Sequence, residues 1–490
     1  MNQSAPSPRR LLVVGGGEAG QALVRELLEG GWPVTPVGFL DDDATLQGRT
    51  LCGLPVLGTT AELPRAARHC GAQEILIAIP SARGALIRRL VLLSRRAGLP
   101  FRIVPGIRAI IEGDVRFDQV RPVAPEDLLG RESVVFRAEG ARAAVAGRSV
   151  LVTGAGGSIG SELCRRLLEL DPGELLLLGR GENSLFEIVE ELAPQCAGAR
   201  LRSIVCDVRD GERLSILAKR HRPGLILHAA AHKHVPMMEE NPEEAVVVNV
   251  QGTANMIAFA REVKAERFVL VSTDKAAVPA SVMGATKRIA EELVRAAGAR
   301  DGATRFLSVR FGNVLGSRGS VVPLFLERIR RGLPLPVTDP AMTRYFMTIR
   351  EAALLVIEAM VLGESGATYI LEMGDPVPII DLARNLLALS GFDPENGDAG
   401  PGIVITGARP GERLHEELVA SDERLDRSPN PLIRRARTAR PLLVDSEAAV
   451  AALLAPARAG DQDAVRRVLG ELLGGGDLAA GPGAAEASRP

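Results

Sequence analysis

The chain has no long apolar run. Over its 490 residues the longest weakly charged apolar stretch, around 352–363, falls well short of the ~20 residues that a membrane-spanning helix needs. No span is expected. The first ten residues hold two arginines but neither an h-region nor a small-residue cleavage site, so export is not expected either. Cysteine is scarce: the five present (Cys52, Cys70, Cys164, Cys196, Cys206) are an odd number with no CxxC pair, which excludes a disulfide framework and a zinc ribbon and points to a reducing cytoplasm. An excess of one charge is missing as well. Lys plus Arg is 59 against 60 for Asp plus Glu, a net of −1, so no global field draws the chain onto nucleic acid or an anionic membrane.

Two more scarcities are chemical. Only five lysines occur (Lys219, Lys233, Lys264, Lys275, Lys287) beside 54 arginines. A retained lysine therefore marks a place where a compact or deprotonable amine is needed, unless composition bias alone explains it. Tyrosine occurs only at Tyr345 and Tyr369, and neither has a lysine four residues later.

What is present is the balance of a globular enzyme, 46% hydrophobic and 24% charged, long enough for two or three domains. Two segments share one plan. Leu11 to Val14 runs as a strand into Gly15, Gly17 and Gly20 and then a helix; Ser149 to Val152 runs into Thr153, Gly154, Gly157 and Gly160 and then a helix. The fold class is therefore α/β, with two Rossmann-like parallel-sheet domains. The expected division is a nucleotide-binding domain over 10–113, a connector over 114–147, the second Rossmann-like domain over 148–430, and a C-terminal extension over 431–490 that is disordered after about 474.

A pyrophosphate needs bare backbone N–H groups at a helix N-terminus, and glycine lets the backbone approach it. The first turn leaves two readings open, a dinucleotide site or a Rossmann-shaped turn without one. The second, TGAGGSIG, is the stronger. Asp207 and Val208, after the third strand, are placed for an adenine edge. Where an acid usually holds the adenosine ribose stands Gly179 followed by Arg180, which either faces a 2′-phosphate or is a solvated loop arginine. NAD and NADP both stay open.

From about 149 to 418 the chain resembles the extended short-chain dehydrogenase/reductases and, within them, the CapD-like nucleotide-sugar 4,6-dehydratases of polysaccharide biosynthesis. The resemblance rests on TGAGGSIGSEL, GRGENSLFEI, HAAAHKHVPMME, NVQGT, STDKAAVPASVMGATKR, RFGNVLGSRGSV, MTRYFMT, MGDPVPIIDLA and GARPGERLHEEL, in that order. Residues 10–105 look like the CoA-binding-like domain that precedes the dehydratase domain in long members, here without their membrane helices.

The resemblance implies an extended dehydrogenase/reductase domain with a small C-terminal substrate lobe. It implies NAD or NADP, tightly bound and regenerated each turnover, on Thr153, Gly154, Gly157, Ser158, Ile159, Gly160, Arg180, Asp207, Val208, Ala229 and Lys287. The implied substrate is UDP-N-acetylglucosamine or a related UDP-N-acetylhexosamine, met by His232, Lys233, Asn313, Arg318, Arg344, Arg409 and Glu412. His228, His232 and His234 belong to this loop rather than to a metal site; no metal is expected.

The implied catalytic set is Thr273, Asp274, Lys275, Met283 and Lys287. Met283 stands where tyrosine is usual, a departure shared by the longer dehydratases, and a thioether is no base. Thr273 bonds the C4 hydroxyl and Lys287 the nicotinamide ribose. After C4 oxidation Asp274 protonates the departing C6 hydroxyl, Lys275 removes the C5 proton, and the hydride returns to C6. As a base Lys275 must be neutral, so its ordinary pKa of ~10.4 must fall by roughly 3 units, through burial and the neighbouring Lys287 ammonium. A sugar-nucleotide 4-epimerase shares the fold but has no use for the Asp-Lys pair and ordinarily requires the missing tyrosine. A catalytically silent, cofactor-sensing scaffold is the third reading. Many relatives associate through helices equivalent to residues 243–262 and 283–298, so a homo-oligomer is expected.

Overall fold

The computed structural model describes residues 8–82, 84–104, 138–196, 200–392, 400–438 and 445–475, with residues 117, 120–124, 126–127 and 136 between them. The expected boundary at 113, part of the expected connector and nearly all of the tail read as disordered lie outside the described residues. The chain forms two compact units. One gathers Met1–Val134, Val321–Val337 and Ile379–Ile405; the other gathers Val135–Ser320, Thr338–Pro378 and Thr406–Pro490. Two segments that the sequence reading kept within 148–430 thus group with the N-terminal residues.

The first unit is built on strands β1 (Arg9–Val14), β2 (Val34–Leu40), β3 (Glu74–Ile77) and β4 (Phe101–Ile103), all parallel in the order β2-β1-β3-β4. Leu11 to Val14 are wholly buried because a parallel strand is covered on both faces, so its sequence is continuously apolar rather than alternating. The helix Gly84–Arg96 packs on the helix Ile379–Leu389, and Arg95 donates to the Leu389 carbonyl. This contact explains why residues so far apart in the chain group together.

The second unit carries a nine-stranded sheet: β5 (Ser149–Thr153), β6 (Glu174–Gly179), β7 (Arg200–Val205), β8 (Leu225–His228), β9 (Arg267–Val271), β10 (Arg305–Arg310), β11 (Ala367–Leu371), β12 (Glu423–Arg427) and β13 (Ile433–Thr438). Their order is β12-β13-β11-β10-β9-β8-β5-β6-β7, parallel from β5 to β11 and antiparallel in the last two. The order reverses beside β5, and ligands of open α/β sheets sit at such switch points, outside the strands' carboxyl ends. β5 carries the second glycine turn.

Residues past 430 are not the compositional tail that their Arg- and Ala-rich sequence suggests. β13 pairs with β11, and two capped helices follow, Ser446–Ala459 on Asp445 and Gln462–Leu472 on Asp461. Ala449, Leu453, Val465 and Leu469 enter the same core as Phe268 and Phe306. Alanine is the best helix former, and an alanine-rich face packs closely.

β12 is anchored by charge. The Arg310 side chain, wholly buried, donates to Glu423 Oε2 at 2.7 Å and to Glu291 Oε2 at 2.6 Å, and Arg288 reaches Glu423 Oε1 at 2.9 Å. Burial pushes the Glu423 carboxyl up, but Arg310, the Ala420 amide and Arg288 outweigh it and hold the pKa down at about 2. A depressed carboxylate stabilises the fold above its unfolded pKa and loses that contribution as pH falls through the folded one. Glu423→Ala should therefore cost about 3–5 kcal/mol at neutral pH, because it leaves a buried guanidinium short of a partner. In urea titrations the difference from wild type should shrink as pH drops from 4.5, the group's ordinary value, towards 2.

Candidate functional site

The glycine turn after β5 is shaped by close backbone approach. Gly154 has φ +65°, and a Cβ there would stand 2.8 Å from the Ala230 amide nitrogen; one on Gly160 would stand 2.1 Å from the Gly154 carbonyl oxygen. Only glycine fits either place. The helix Ser158–Leu168 then starts with no side-chain cap, which leaves its first amides without a side-chain acceptor, as an anion site requires. The cleft, of about 320 Å³, is lined by this turn, by Gly179 at the end of β6 and Arg180 after it, by Asp207 and Val208 after β7, and by Ala229 after β8.

Several expected cofactor residues meet there. Asp207 is held by Arg209 at 2.8 Å; burial pushes its carboxyl up, but Arg209 and the more distant Arg180 bring it below the usual carboxylate range. Arg180 is exposed and 3.9 Å from Glu244, at the rim of the cleft. Thr153 sits deeper: its Oγ1 lies 2.7 Å from His228 Nδ1 and accepts the Ala230 amide, so its hydroxyl ties β5 to β8. His228 is likewise interior, and burial lowers its pKa to about 3. In the first unit's turn the Gly16 amide is already taken by Asp41 Oδ2 at 2.6 Å.

Two residues expected near the substrate lie over the glycine turn. The Arg318 amide donates to Ser158 Oγ at 3.0 Å and its Nη2 to the Gly156 carbonyl at 2.8 Å, while Lys233 Nζ donates to the Arg318 carbonyl at 2.8 Å. His232 lines the same cleft and pairs with Glu244 at 3.3 Å. Its backbone amide is fixed by Asn249 Oδ1, and Asn249 Nδ2 in turn donates to Thr286 Oγ1. Asn249 lies in a π-helical turn, Val246–Gln251, which interrupts the helix read across residues 243–262. Such insertions recur at functional sites.

At the end of β9 Thr273 caps a short 3₁₀ turn, Asp274–Ala276. Asp274 Oδ1 accepts from Thr273 Oγ1 at 2.8 Å, from the Lys275 amide at 2.9 Å and from Lys275 Nζ at 3.0 Å. Its Oδ2 is buried with no partner. Lys275 Nζ also donates to Asn313 Oδ1 at 3.3 Å and lies 3.5 Å from Glu416 Oε1. Asn313 arrives by pairing of Asn313–Val314 with Phe346–Met347. Arg344, almost fully buried, donates to the Thr343 and Leu414 carbonyls and lies 3.8 Å from the same Glu416 oxygen. It belongs to this ion cluster. Arg409 and Glu412 pair with each other at 3.1 Å on an adjoining, more exposed segment.

The expected fall in the Lys275 pKa is overturned. Burial does push the ammonium down, but Asp274 and Glu416 outweigh it, with Arg344 opposing them, and the pKa is raised. The residue that behaves as expected of a desolvated lysine is Lys287, lowered to about 8 by burial while its Nζ donates to the Val271 carbonyl at 2.8 Å. Met283 is buried one turn before it. Glu416 is not among the expected site residues; the one signal for it is the second acidic position in GERLHEEL.

A family model described as polysaccharide biosynthesis protein matches residues 150–438, more than half of the chain. The chain belongs to this family. A model described as CoA-binding domain matches residues 3–105. Within the polysaccharide biosynthesis family, "Probable polysaccharide biosynthesis protein EpsC" of Bacillus subtilis is 45% identical over 416 residues, covering 84% of this chain and 69% of that protein. A "UDP-N-acetylglucosamine 4,6-dehydratase (inverting)" of Campylobacter jejuni is 35% identical over 283 residues, 56% of this chain and 79% of that one. A "UDP-glucose 4-epimerase" of Rickettsia rickettsii is 33% identical over 283 residues, again 56% of this chain and 79% of its own. The solved structure of Pen from Bacillus thuringiensis matches with a TM-score of 0.54 at 32% identity, over 60% of this chain and 90% of that chain. Among the described residues no helix is long and apolar enough to cross a membrane.

Proposed function

We propose that the chain is a nucleotide-sugar 4,6-dehydratase that removes water across C5 and C6 of a UDP-N-acetylhexosamine, UDP-N-acetylglucosamine being the substrate to test first. The observation that carries the reading is the Thr273-Asp274-Lys275 cluster, where a carboxyl and an amine lie 3.0 Å apart and one carboxyl oxygen is buried and bare. The glycine turn, where a Cβ on Gly154 or Gly160 would strike backbone, fits the pyrophosphate of NAD or NADP, which Gly154, Gly157, Ser158, Gly160 and Arg318 would hold. Bound there, such a cofactor supplies reversible oxidation of the sugar at C4.

The chain's own residues manage the protons. With three donors on Asp274 Oδ1, an acid proton on this carboxyl goes to Oδ2. One proton passed from Lys275 Nζ to Asp274 turns the ion pair into a neutral amine and a carboxylic acid, which are the base and the acid that the elimination needs. Lys275 then takes the C5 proton, Asp274 gives its proton to the departing C6 hydroxyl, and the pair is back where it started. The 4-epimerase reading is favoured by the Rickettsia relative, yet epimerisation leaves this acid without a task. Incubation with UDP-N-acetylglucosamine, followed by mass spectrometry and proton NMR, separates the readings: a product lighter by one water is expected, a C4 epimer of unchanged mass but altered ring-proton couplings supports the epimerase, and no conversion leaves the silent scaffold.

A further inference from the structure

Lys275 Nζ faces three acceptors, the Asp274, Asn313 and Glu416 side-chain oxygens at 3.0, 3.3 and 3.5 Å. An ammonium has three N–H donors and no lone pair, so this surrounding is complete for the charged form and wrong for the neutral one. Asn313 is neutral and Asp274 is used in the reaction. Glu416 is the remaining negative charge, and nothing in the dehydration as written above employs it.

Its position is fixed on both sides. Upstream, the Leu414 carbonyl accepts the Thr343 amide at 3.0 Å and Arg344 Nη1 at 3.1 Å, and His415 Nδ1 lies 2.9 Å from Thr343 Oγ1. Downstream, the Leu418 carbonyl accepts from the buried Arg310 at 3.0 Å. A side chain between two such anchors is held by the fold rather than by its partner. The Glu416 side chain is 7% exposed, so solvent screens its charge little.

We propose that Glu416 is a positioning residue of this site, a fixed carboxylate that shares the Lys275 ammonium with Asp274 and keeps it protonated until the substrate is in place. The inference rests on the reading of Lys275 as the C5 base. In the resting ion pair the Asp274 and Glu416 carboxylates together face the Lys275 ammonium and the Arg344 guanidinium. Without Glu416 the Asp274 carboxylate alone would face both cations, and Lys275 would lose its proton early. The raised pKa of Lys275 agrees with this geometry; Asp274, Glu416 and Arg344 are the charged groups that act on it.

The scarcity of lysine makes a direct test practicable. In competitive acylation of the whole chain, read peptide by peptide with mass spectrometry across pH, Lys275 is one of only five side-chain amines. Glu416→Gln, which keeps the shape, should move the Lys275 labelling midpoint down by at least about one pH unit, a tenfold change in its protonation constant. Glu416→Asp should recover most of that shift, and Glu417→Gln, on an exposed carboxylate paired with Arg413, should leave it unmoved. With UDP-N-acetylglucosamine the alkaline limb on which kcat falls, where the pair loses its one proton to solvent, should move down by a similar amount in Glu416→Gln, with KM changed less than about twofold. An unmoved Lys275 midpoint in a folded Glu416→Gln variant overturns the proposal whatever the protein catalyses. A moved midpoint in a protein that removes no water leaves Glu416 in place and overturns the dehydratase reading instead.

Discussion

Asp274→Asn is expected to bind the nucleotide sugar as wild type does and to lose dehydration by about 10²–10⁴-fold, the range by which a positioned acid or base accelerates a reaction. The amide oxygen can replace Oδ1 and keep its donors from Thr273 and Lys275, so the 3₁₀ turn should survive. The amide nitrogen would then occupy the buried Oδ2 place, where no partner stands, and it carries no acidic proton. The leaving hydroxyl would have to depart unprotonated. The variant also loses the acceptor through which Lys275 becomes neutral, so the expected loss exceeds that of a single acid. Mass spectrometry for loss of water, alongside titration of bound UDP-N-acetylglucosamine, measures both halves of the claim. Turnover within tenfold of wild type with unchanged binding would falsify the acid role of Asp274.

The parts of this site that were legible in sequence are the ones written in consecutive residues. A strand, a glycine turn and a helix announce themselves because each is enforced by neighbours: TGAGGSIG needs glycine where Gly160 meets the Gly154 carbonyl. Thr273, Asp274 and Lys275 likewise form one short turn, so the resemblance carried them intact. Contacts made by the fold were not legible. Glu416 reaches Lys275, and Arg318 reaches Gly156, only because loops after different strands converge at the carboxyl ends of one sheet. Spacing along the chain says nothing about such meetings. The Lys275 pKa departs from the expected fall for the same reason. Burial and a like charge were visible in prospect, while the carboxylate that outweighs them came from residue 416. Asn249 was hidden by a regular apolar pattern, since a π turn and an α turn read alike in five residues of valine and asparagine. The grouping of Ile379–Ile405 with the N-terminal unit depends on one helix face meeting another, which a boundary drawn from composition cannot register.

The lysine count sets up the sharpest contrast. Lys275→Arg should abolish dehydration, whereas Lys219→Arg and Lys264→Arg should be nearly silent, although charge is kept in all three. Lys219 and Lys264 are exposed at helix ends, where arginine is an ordinary substitute and surface changes usually stay within about 0.5 kcal/mol. At 275 the demands differ. A chain with 54 arginines uses lysine there against its habit, and the geometry gives a reason: three acceptors close around a single nitrogen at 3.0–3.5 Å, which a planar guanidinium is too wide to copy. More decisively, guanidinium stays protonated at any accessible pH, so the proton transfer to Asp274 that generates the base cannot occur. Exchange of solvent deuterium into C5 tests this step apart from the loss of water, because a base that fails should stop both. Retained ion pairing should keep the variant folded, as its unfolding midpoint can verify. If Lys275→Arg keeps more than about a tenth of wild-type turnover, a change of only ~1.4 kcal/mol in the barrier, the C5 proton goes to another group, and Glu416, already within 3.5 Å of the Lys275 ammonium, becomes the first candidate to receive it.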